Sequence, residues 1–187
     1  MSAESFPPRM DFSLRKAALS DKPAISSLIE MSARGLSREE YSDEQIEAAI
    51  RSIFGVDSEL IKDGTYFVAE AESQLVGCGG WSRRRTLFGG DQYAARESAE
   101  LDPERDAAKI RAFFVHPEWA RKGVGRAILE RCEQEARACG FRSLELMATL
   151  PGVKFYRSLG YEGDERVTLE VSDGTTIDFV PMRKEAS

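Results

Sequence analysis

The chain has 187 residues, of which 42% are hydrophobic and 31% charged, and its formal net charge of −6 accompanies a pI near 5.1. These values are typical of one globular domain. The acidic net charge argues against a function in which the protein binds nucleic acid or membrane surfaces through a broad basic face. The three cysteines and one histidine show no spacing typical of disulfides or metal sites, and the chain contains no long apolar run and no recognisable secretion signal. We therefore expect a cytoplasmic protein with reduced thiols and no metal.

The N-terminal part of the chain predicts a strand and a helix. Residues 1–10 are largely polar and contain two prolines, so we expect a flexible lead there and a single domain over residues 11–187. Alternation at residues 12–15 predicts the first strand. The helix that follows has Pro23 in its first turn, and Gly35 is predicted to end it in the left-handed conformation.

A second helix and a hairpin come next. Ser42 and Gln45 form a capping box ahead of an apolar stripe that ends at Gly55. Residues 66–71 and 75–81 flank a polar turn and predict a β-hairpin. The second of these strands is rich in glycine, which indicates either a bulge or a close approach of backbone or ligand.

Residues 87–106 break the regular pattern. This segment has no hydrophobic periodicity, and it contains six acidic residues against two arginines, Arg96 and Arg105. Connections of this length are uncommon in compact domains and are usually either functional or disordered. A basic run, Arg83 to Arg85, stands just ahead of it.

The C-terminal half predicts alternating strands and helices. The strands are expected at residues 110–115 and 144–148, the helices at 124–139 and 152–159, and a final hairpin at 165–171 and 176–182. The complete order is βααβββαβαββ. This order predicts an α/β (α+β) fold with a mixed, mostly antiparallel central sheet that contains one parallel step and is splayed between strands 4 and 5.

The turn ahead of the long helix has the composition of a pyrophosphate cradle. Residues 120–126 read Ala-Arg-Lys-Gly-Val-Gly-Arg. Glycines let the backbone approach an anion closely, and the first N–H groups of a helix are unpaired and lie at the positive end of its dipole. Arg121, Lys122 and Arg126 add formal positive charge. The alternative is that the glycines form only a tight connection between strand and helix.

A second motif follows the next predicted strand. The short helix there carries the residues Phe155, Tyr156, Gly160 and Tyr161. The two motifs, in this order and at this separation, resemble the acyl-CoA-dependent GNAT N-acyltransferase superfamily. In that family the glycine turn follows the pattern Gln/Arg-x-x-Gly-x-Gly/Ala, and the later helix carries Phe-Tyr-x-x-x-Gly-Phe/Tyr.

The sequence departs from the family pattern at two positions. Ala120 occupies the first position of the turn pattern, and Thr149 replaces the Asn often found ahead of the Phe-Tyr pair. Phosphate contacts in the family run mainly through backbone amides, so the resemblance still implies that acetyl-CoA is the cosubstrate and that its pantetheine arm enters the gap between strands 4 and 5. The implied cofactor-binding residues are Phe114, Val115, Arg121, Lys122, Gly123, Val124, Gly125, Arg126 and Phe155.

Transfer of an acetyl group from a thioester to an amine needs an oxyanion donor, a proton for the leaving thiolate and a base for the amine. A backbone amide near Phe114 or Val115 is the expected oxyanion donor, because a splayed strand leaves such groups unpaired. The family motif places a tyrosine close to the CoA sulfur, so Tyr156 is the predicted catalytic residue. We expect direct attack by the amine within a ternary complex.

The sequence leaves the general base open. Glu70, Glu118 and the carboxylates of residues 87–106 are candidates, either directly or through water. His116 precedes a proline and is more readily explained as shaping the strand exit than as a proton carrier. Cys78 has no visible activating partner, which disfavours a covalent route.

Two functions are consistent with the motifs: an N-acetyltransferase acting on a small-molecule or peptide amine, and a CoA-binding regulatory module without turnover. The chain has neither a P-loop nor a third dinucleotide glycine, which excludes a nucleotide-phosphate binder of another fold. The resemblance places residues 87–106 beside the acceptor site, either as a wall attractive to a cationic amine or as a solvated loop, whereas the basic run favours an acidic acceptor. No nucleic-acid or membrane partner is expected, and the closing hairpin and Trp81 offer a surface for a homodimer.

Overall fold

The computed structural model describes residues 11–186, so the predicted flexible lead at residues 1–10 lies outside the described residues. The strands are β1 Ser13–Lys16, β2 Tyr66–Ala71, β3 Gln74–Ser82, β4 Ala108–Val115, β5 Ser143–Thr149, β6 Val167–Ser172 and β7 Thr175–Glu185. The helices are α1 Lys22–Leu36, α2 Asp43–Ser52, α3 Ser58–Asp63, α4 Val124–Ala138 and α5 Val153–Ser158. Short 3-10 turns lie at Leu19–Asp21, Pro117–Trp119 and Leu150–Gly152.

The strands of the described residues form one sheet in the order β1-β2-β3-β4-β5-β7-β6. Neighbouring strands run antiparallel except β4 and β5, which are parallel. The register between these two pairs Ala108 with Leu144 and Lys109 with Glu145, and from Ile110 onward the strands part. A gap therefore opens toward the carboxyl ends of β4 and β5, and the predicted mixed sheet with its splayed parallel step is confirmed.

Helices cover both faces of the sheet and divide the core in two. On one face, here called the α1 face, the helices α1, α2 and α3 bury residues that include Ile25, Ile46, Leu60, Val68 and Phe179. On the opposite face, the α4 face, α4 and α5 bury residues that include Val124, Ile128, Leu146, Tyr156 and Tyr161. None of the described helices is both long enough and apolar enough to span a bilayer.

The glycines of β3 reflect both of the expected causes. A Cβ atom on Gly77 would lie 2.5 Å from Val124 Cγ1 and 3.1 Å from Ile128 Cδ1, so the absence of a side chain lets α4 lie close on the sheet. The register between β3 and β4 also shifts between Cys78 and Gly80, which is a β-bulge. Close packing and the bulge therefore act in the same strand.

Helix starts follow their capping residues. The predicted capping box is present, because Ser42 Oγ accepts from Gln45 N and Gln45 Oε1 accepts from Ser42 N. The predicted order lacks α3, which is one of three helices between β1 and β2. The carboxylate of Asp57 accepts from Leu60 N at 3.2 Å, and Gly64 ends this short helix at φ 71°.

One predicted helix end is wrong. Gly35 lies inside α1, which continues to Leu36, and its φ is not positive. Gly35 instead allows a close contact, because a Cβ atom there would lie 2.4 Å from Pro117 Cγ in the turn after β4. This glycine sets the distance between α1 and the end of β4.

Candidate active site

The part of β4 that borders the gap contains a strained bulge. Ala112 has φ 56°, a left-handed conformation that costs a residue with a Cβ roughly 1–2 kcal/mol. Its carbonyl oxygen accepts hydrogen bonds from Tyr66 Oη at 3.3 Å and from Cys78 Sγ at 3.6 Å. Both donors are fully buried in the core of the α1 face. These contacts hold the bulge and so orient the last residues of β4.

One main-chain N–H of β4 points into the gap. His116 N donates to Val76 O of β3 at 2.9 Å, so the preceding N–H, that of Val115, faces the opposite side of the strand. This N–H was expected to be unpaired, but it donates to Ser32 Oγ on α1 at 3.2 Å. The hydroxyl oxygen of Ser32 therefore accepts the hydrogen bond that the Val115 N–H directs into the gap.

The turn between β4 and α4 presents a run of main-chain N–H groups. Gly123 is the N-cap residue of α4 with φ 88°, and Arg121 also has a positive φ of 61°. The helix ladder begins with the hydrogen bond from Ala127 N to Gly123 O. Within the described residues, the N–H groups of residues 121–126 have no hydrogen-bond partner. Such a cluster at a helix N-terminus can bind an anion.

Cationic side chains accompany these N–H groups. Arg121 and Arg126 are exposed, and neither forms an ion pair with a carboxylate in residues 11–186. Lys122 Nζ lies 5.7 Å from the centroid of the Trp119 ring. Their positive charge is not neutralised by the part of the chain that the structure describes, and it adds to the positive end of the α4 dipole.

Gly125 brings this turn into contact with the second motif. A Cβ atom at Gly125 would lie 3.1 Å from Phe155 Cζ and 3.6 Å from Val115 Cγ2. Phe155 belongs to α5 and Val115 ends β4, so three separate segments meet at this glycine. The glycine turn and the Phe-Tyr motif therefore form one continuous surface beside the gap, on the α4 face.

Tyr156 follows Phe155 in α5 and is 9% exposed. Its ring packs edge-on against Phe113, Phe155 and Tyr161, at centroid distances of 6.4, 5.1 and 5.8 Å. Burial raises the pKa of Tyr156 above its ordinary value, so the phenol is protonated at neutral pH. The hydroxyl makes no hydrogen bond with any residue from 11 to 186, which leaves its proton available to a ligand.

The family model described as the acetyltransferase (GNAT) family matches residues 25–161, which is well over half of the chain. The chain belongs to the GNAT family. Among curated proteins, an uncharacterized N-acetyltransferase of Methanocaldococcus jannaschii is 31% identical over 67 residues. That match covers 34% of this chain and 30% of the length of the curated relative.

Solved GNAT structures share the fold of this chain. A GCN5-related N-acetyltransferase from Rhodopseudomonas palustris is 21% identical with a TM-score of 0.68, and the match covers 92% of this chain and 94% of that one. The PaiA N-acetyltransferase of Thermoplasma acidophilum, in complex with coenzyme A, is 19% identical with a TM-score of 0.63, covering 94% and 99%. YncA of Salmonella typhimurium, with its cofactor acetyl-CoA, is 19% identical with a TM-score of 0.60, covering 95% of each chain.

Several candidate proton carriers of this GNAT protein have other partners. Glu70 Oε2 accepts from Arg15 Nε at 3.1 Å. His116 Nδ1 accepts from Glu118 N at 3.1 Å and so stabilises the turn after β4. Burial raises the pKa of Cys78 to about 12, so this thiol is uncharged at neutral pH and is not poised for nucleophilic attack.

The long segment between β3 and β4 is held by ion pairs. Arg111 on β4 is buried, and its Nη2 lies 3.0 Å from Glu59 Oε1 on α3. Further pairs tie the segment and the basic run ahead of it to the rest of the domain: Asp91 with Lys22, Arg96 with Asp57 and Glu59, and Arg84 with Asp63. Arg85 pairs with Glu97 and so joins the basic run to the segment. Charges of both signs in the first half of the segment are therefore neutralised within the GNAT domain.

The predicted site residues do not all lie on one side of the sheet. Phe114 lies on the α1 face, where its ring packs 5.6 Å from that of Phe54, and its own N–H faces β3 opposite Cys78. Of the two predicted oxyanion donors, Val115 is therefore the one whose N–H points into the gap. Ser32 was not predicted, although a hydroxyl within the apolar stripe of α1 was a visible signal.

Proposed function

We propose that this GNAT protein is an N-acetyltransferase that moves the acetyl group of acetyl-CoA to a primary amine by direct attack in a ternary complex. The observation that carries the proposal is the set of N–H groups at residues 121–126 that have no partner among residues 11–186, which Gly125 joins to Phe155 and Val115. Helix N-termini of this kind suit a diphosphate. The gap beside them suits an extended arm that carries the thioester.

The residues present fit the cosubstrate. The N–H groups of the turn match the acceptor oxygens of a diphosphate, and the cations, which have no carboxylate partner among the described residues, match its charge. Bound acetyl-CoA supplies an activated acyl group and a thiolate leaving group. The residues that would hold it are Val115, Arg121, Lys122, Gly123, Val124, Gly125, Arg126 and Phe155.

In the proposed reaction, the amine nitrogen forms a bond to the thioester carbonyl carbon, the carbon–sulfur bond breaks, and an amide and a free thiol result. The Val115 N–H faces the gap and would stabilise the developing oxyanion once Ser32 Oγ gives up this donor. Tyr156 would deliver a proton to the leaving sulfur, and the proton lost by the amine restores the balance. The raised pKa keeps the Tyr156 phenol protonated at neutral pH, so its proton is present when the sulfur leaves.

The test combines binding with turnover. Calorimetry of the whole chain with CoA should show saturable binding, and incubation with acetyl-CoA and a panel of primary amines should release free thiol and give products heavier by one acetyl group. Binding without turnover on any amine would support the regulatory module instead. Absence of CoA binding would contradict both functions.

A further inference from the structure

The α1 face of the gap is lined by phenylalanine rings. Phe114 comes from β4 on one side, and Phe179 comes from β7 on the other, where it lies opposite Thr149 at the end of β5. Phe54, just after α2, contacts both rings, with centroid distances of 5.6 Å to Phe114 and 6.4 Å to Phe179. An aromatic layer therefore crosses the gap on the face opposite the phosphate cradle.

The segment between β3 and β4 adds two more rings to this layer. Phe88 stacks on Phe179 with a centroid distance of 6.2 Å, and Tyr93 packs 4.9 Å from Phe88. Phe54 and Phe179 are buried, whereas Phe88, Tyr93 and Phe114 are half-buried. The buried rings form a rigid floor, and the half-buried rings keep apolar surface that a further apolar group can cover.

Asp91 and Arg96, the two charged residues in the first half of the same segment, both have partners within the domain. Asp91 accepts hydrogen bonds from Ser58 N at 2.8 Å and Ser58 Oγ at 2.5 Å, and it pairs with Lys22 at 3.3 Å. Arg96 pairs with the buried carboxylate of Asp57 at 3.0 Å. A charged acceptor arm would find these groups already neutralised, and it would lose hydration against the rings without gaining a partner.

We propose that the acceptor is a primary amine carried on an aromatic arm, and that Phe88, Tyr93 and Phe114 determine this specificity. The inference rests on the proposed acetyl transfer and names the substrate class for it. The ring of the acceptor packs against the half-buried rings and holds the amine at the gap, where the Val115 N–H points. In the reaction the N–C bond forms, the C–S bond breaks, and the amine proton is balanced by the proton on the released thiol.

The first experiment compares amines that differ in their arm. With acetyl-CoA saturating, kcat/KM is measured for 2-phenylethylamine, ethylamine, putrescine and glutamate. Because the phenyl ring of 2-phenylethylamine would be removed from water against the half-buried rings, its kcat/KM should be about tenfold or more above that of ethylamine. Putrescine or glutamate used as well as 2-phenylethylamine would overturn the inference and leave the proposed acetyl transfer standing.

The second experiment uses variants and reads a ratio that folding stability does not change. Phe88→Leu and Tyr93→Leu should lower the ratio of kcat/KM for 2-phenylethylamine to that for ethylamine by about threefold or more, mainly through KM. Phe141→Leu is the matched control, because Phe141 is buried against Trp81 on the α4 face. It should lower thermal stability and leave the ratio unchanged. An unchanged ratio in both test variants would also overturn the inference.

A binding measurement covers the case in which no amine is acetylated. Calorimetry of 2-phenylethylamine with the CoA-loaded protein should then show saturable binding that Phe88→Leu weakens. Failure of turnover with this binding present would remove the proposed transfer and keep the aromatic subsite. Failure of binding would remove the subsite.

Discussion

The two faces of the gap are built in different ways. On the α4 face, the proposed phosphate cradle is a continuous stretch, residues 121–126, whose N–H groups are set by the start of one helix. On the α1 face, the proposed acceptor wall is assembled from β4, β7, the end of α2 and the long segment between β3 and β4, which are far apart along the chain. A short motif can therefore specify the first half of the site, whereas the second half depends on tertiary packing.

The strongest test of the motif-built half is Tyr156→Phe. If the phenol protonates the leaving thiolate, kcat should fall by about a hundredfold, while the Kd for CoA stays within about twofold of the parent value. Stability should not change, because the hydroxyl has no hydrogen-bond partner in the part of the chain that the structure describes. Burial raises the pKa of Tyr156, so wild-type kcat should show no loss from tyrosine ionisation up to about pH 9.

Tyr161→Phe is the matched control for that variant, since the two rings lie 5.8 Å apart. The Tyr161 hydroxyl donates to the buried carboxylate of Glu133 at 3.0 Å, so its removal should cost about 1 kcal/mol of unfolding free energy. Its kcat should match the parent. Equal losses of kcat in both variants would mean that Tyr156 acts through packing and not through its proton.

The same contrast explains what the sequence could predict. Apart from α3, the order of strands and helices along the chain, the capping box of Ser42 and the glycine turn follow from local patterns, because caps, turns and periodicity act over a few residues. The exposed N–H groups of the turn follow from Gly123 at a helix start. For these features the neighbours along the chain are also the neighbours in space.

The proposed acceptor wall could not be predicted from the sequence, because its contacts join residues that are far apart along the chain. Ser32 pairs with Val115 across 83 residues, which no local pattern encodes. Asp91 and Arg96 in the first half of the long segment pair with Lys22 on α1 and with Asp57 just ahead of α3, contacts that no local pattern encodes. Gly35 is another example. Its position in the sequence suggests a helix end, but the reason for a glycine there is the close contact with Pro117, 82 residues away along the chain.

Gly35→Ala tests whether the α1 face depends on that contact. In an ordinary helix interior this change would stabilise the protein by about 1 kcal/mol. Here the new methyl would lie 2.4 Å from Pro117 Cγ, so α1 must move away, and we expect a net loss of about 2 kcal/mol in the free energy of unfolding measured in urea. Adding Pro117→Ala should recover part of the loss, and a gain from Gly35→Ala alone would contradict the contact.

Gly123→Ala tests the cradle itself. Gly123 has a left-handed backbone with φ 88°, which costs a residue with a Cβ roughly 1–2 kcal/mol. If the backbone of the variant relaxes, its N–H groups turn away from the ligand. The Kd for CoA measured by calorimetry should therefore rise about tenfold. Gly174→Ala is the control, because Gly174 has φ 76° and equally open space but lies in the turn between β6 and β7. Both variants should lose similar stability. Equal effects on CoA affinity would show that the cradle is not at Gly123.

Acid should affect the ion pairs beside the long segment more than the cradle, although the expected energy is small. The guanidinium of Arg84 lowers the pKa of Asp63, so this pair contributes stability that is complete above the ordinary aspartate pKa near 4 and is lost as pH falls through the lower folded value. The pair is partly exposed, so about 1 kcal/mol or less is at stake.

The cradle has no such dependence, because main-chain N–H groups do not titrate in this range. In an NMR titration from neutral pH downward, amide signals of Arg84 and its neighbours should stay constant to about pH 4 and shift below it, ahead of those at Gly123 and Gly125. Arg84→Met should move this acid step to higher pH, toward the ordinary aspartate pKa, while leaving the cradle signals in place. If both regions lost their signals together at a higher pH, the packed half would not depend on ion pairs, and the contrast between the two halves would have to rest on the aromatic rings alone.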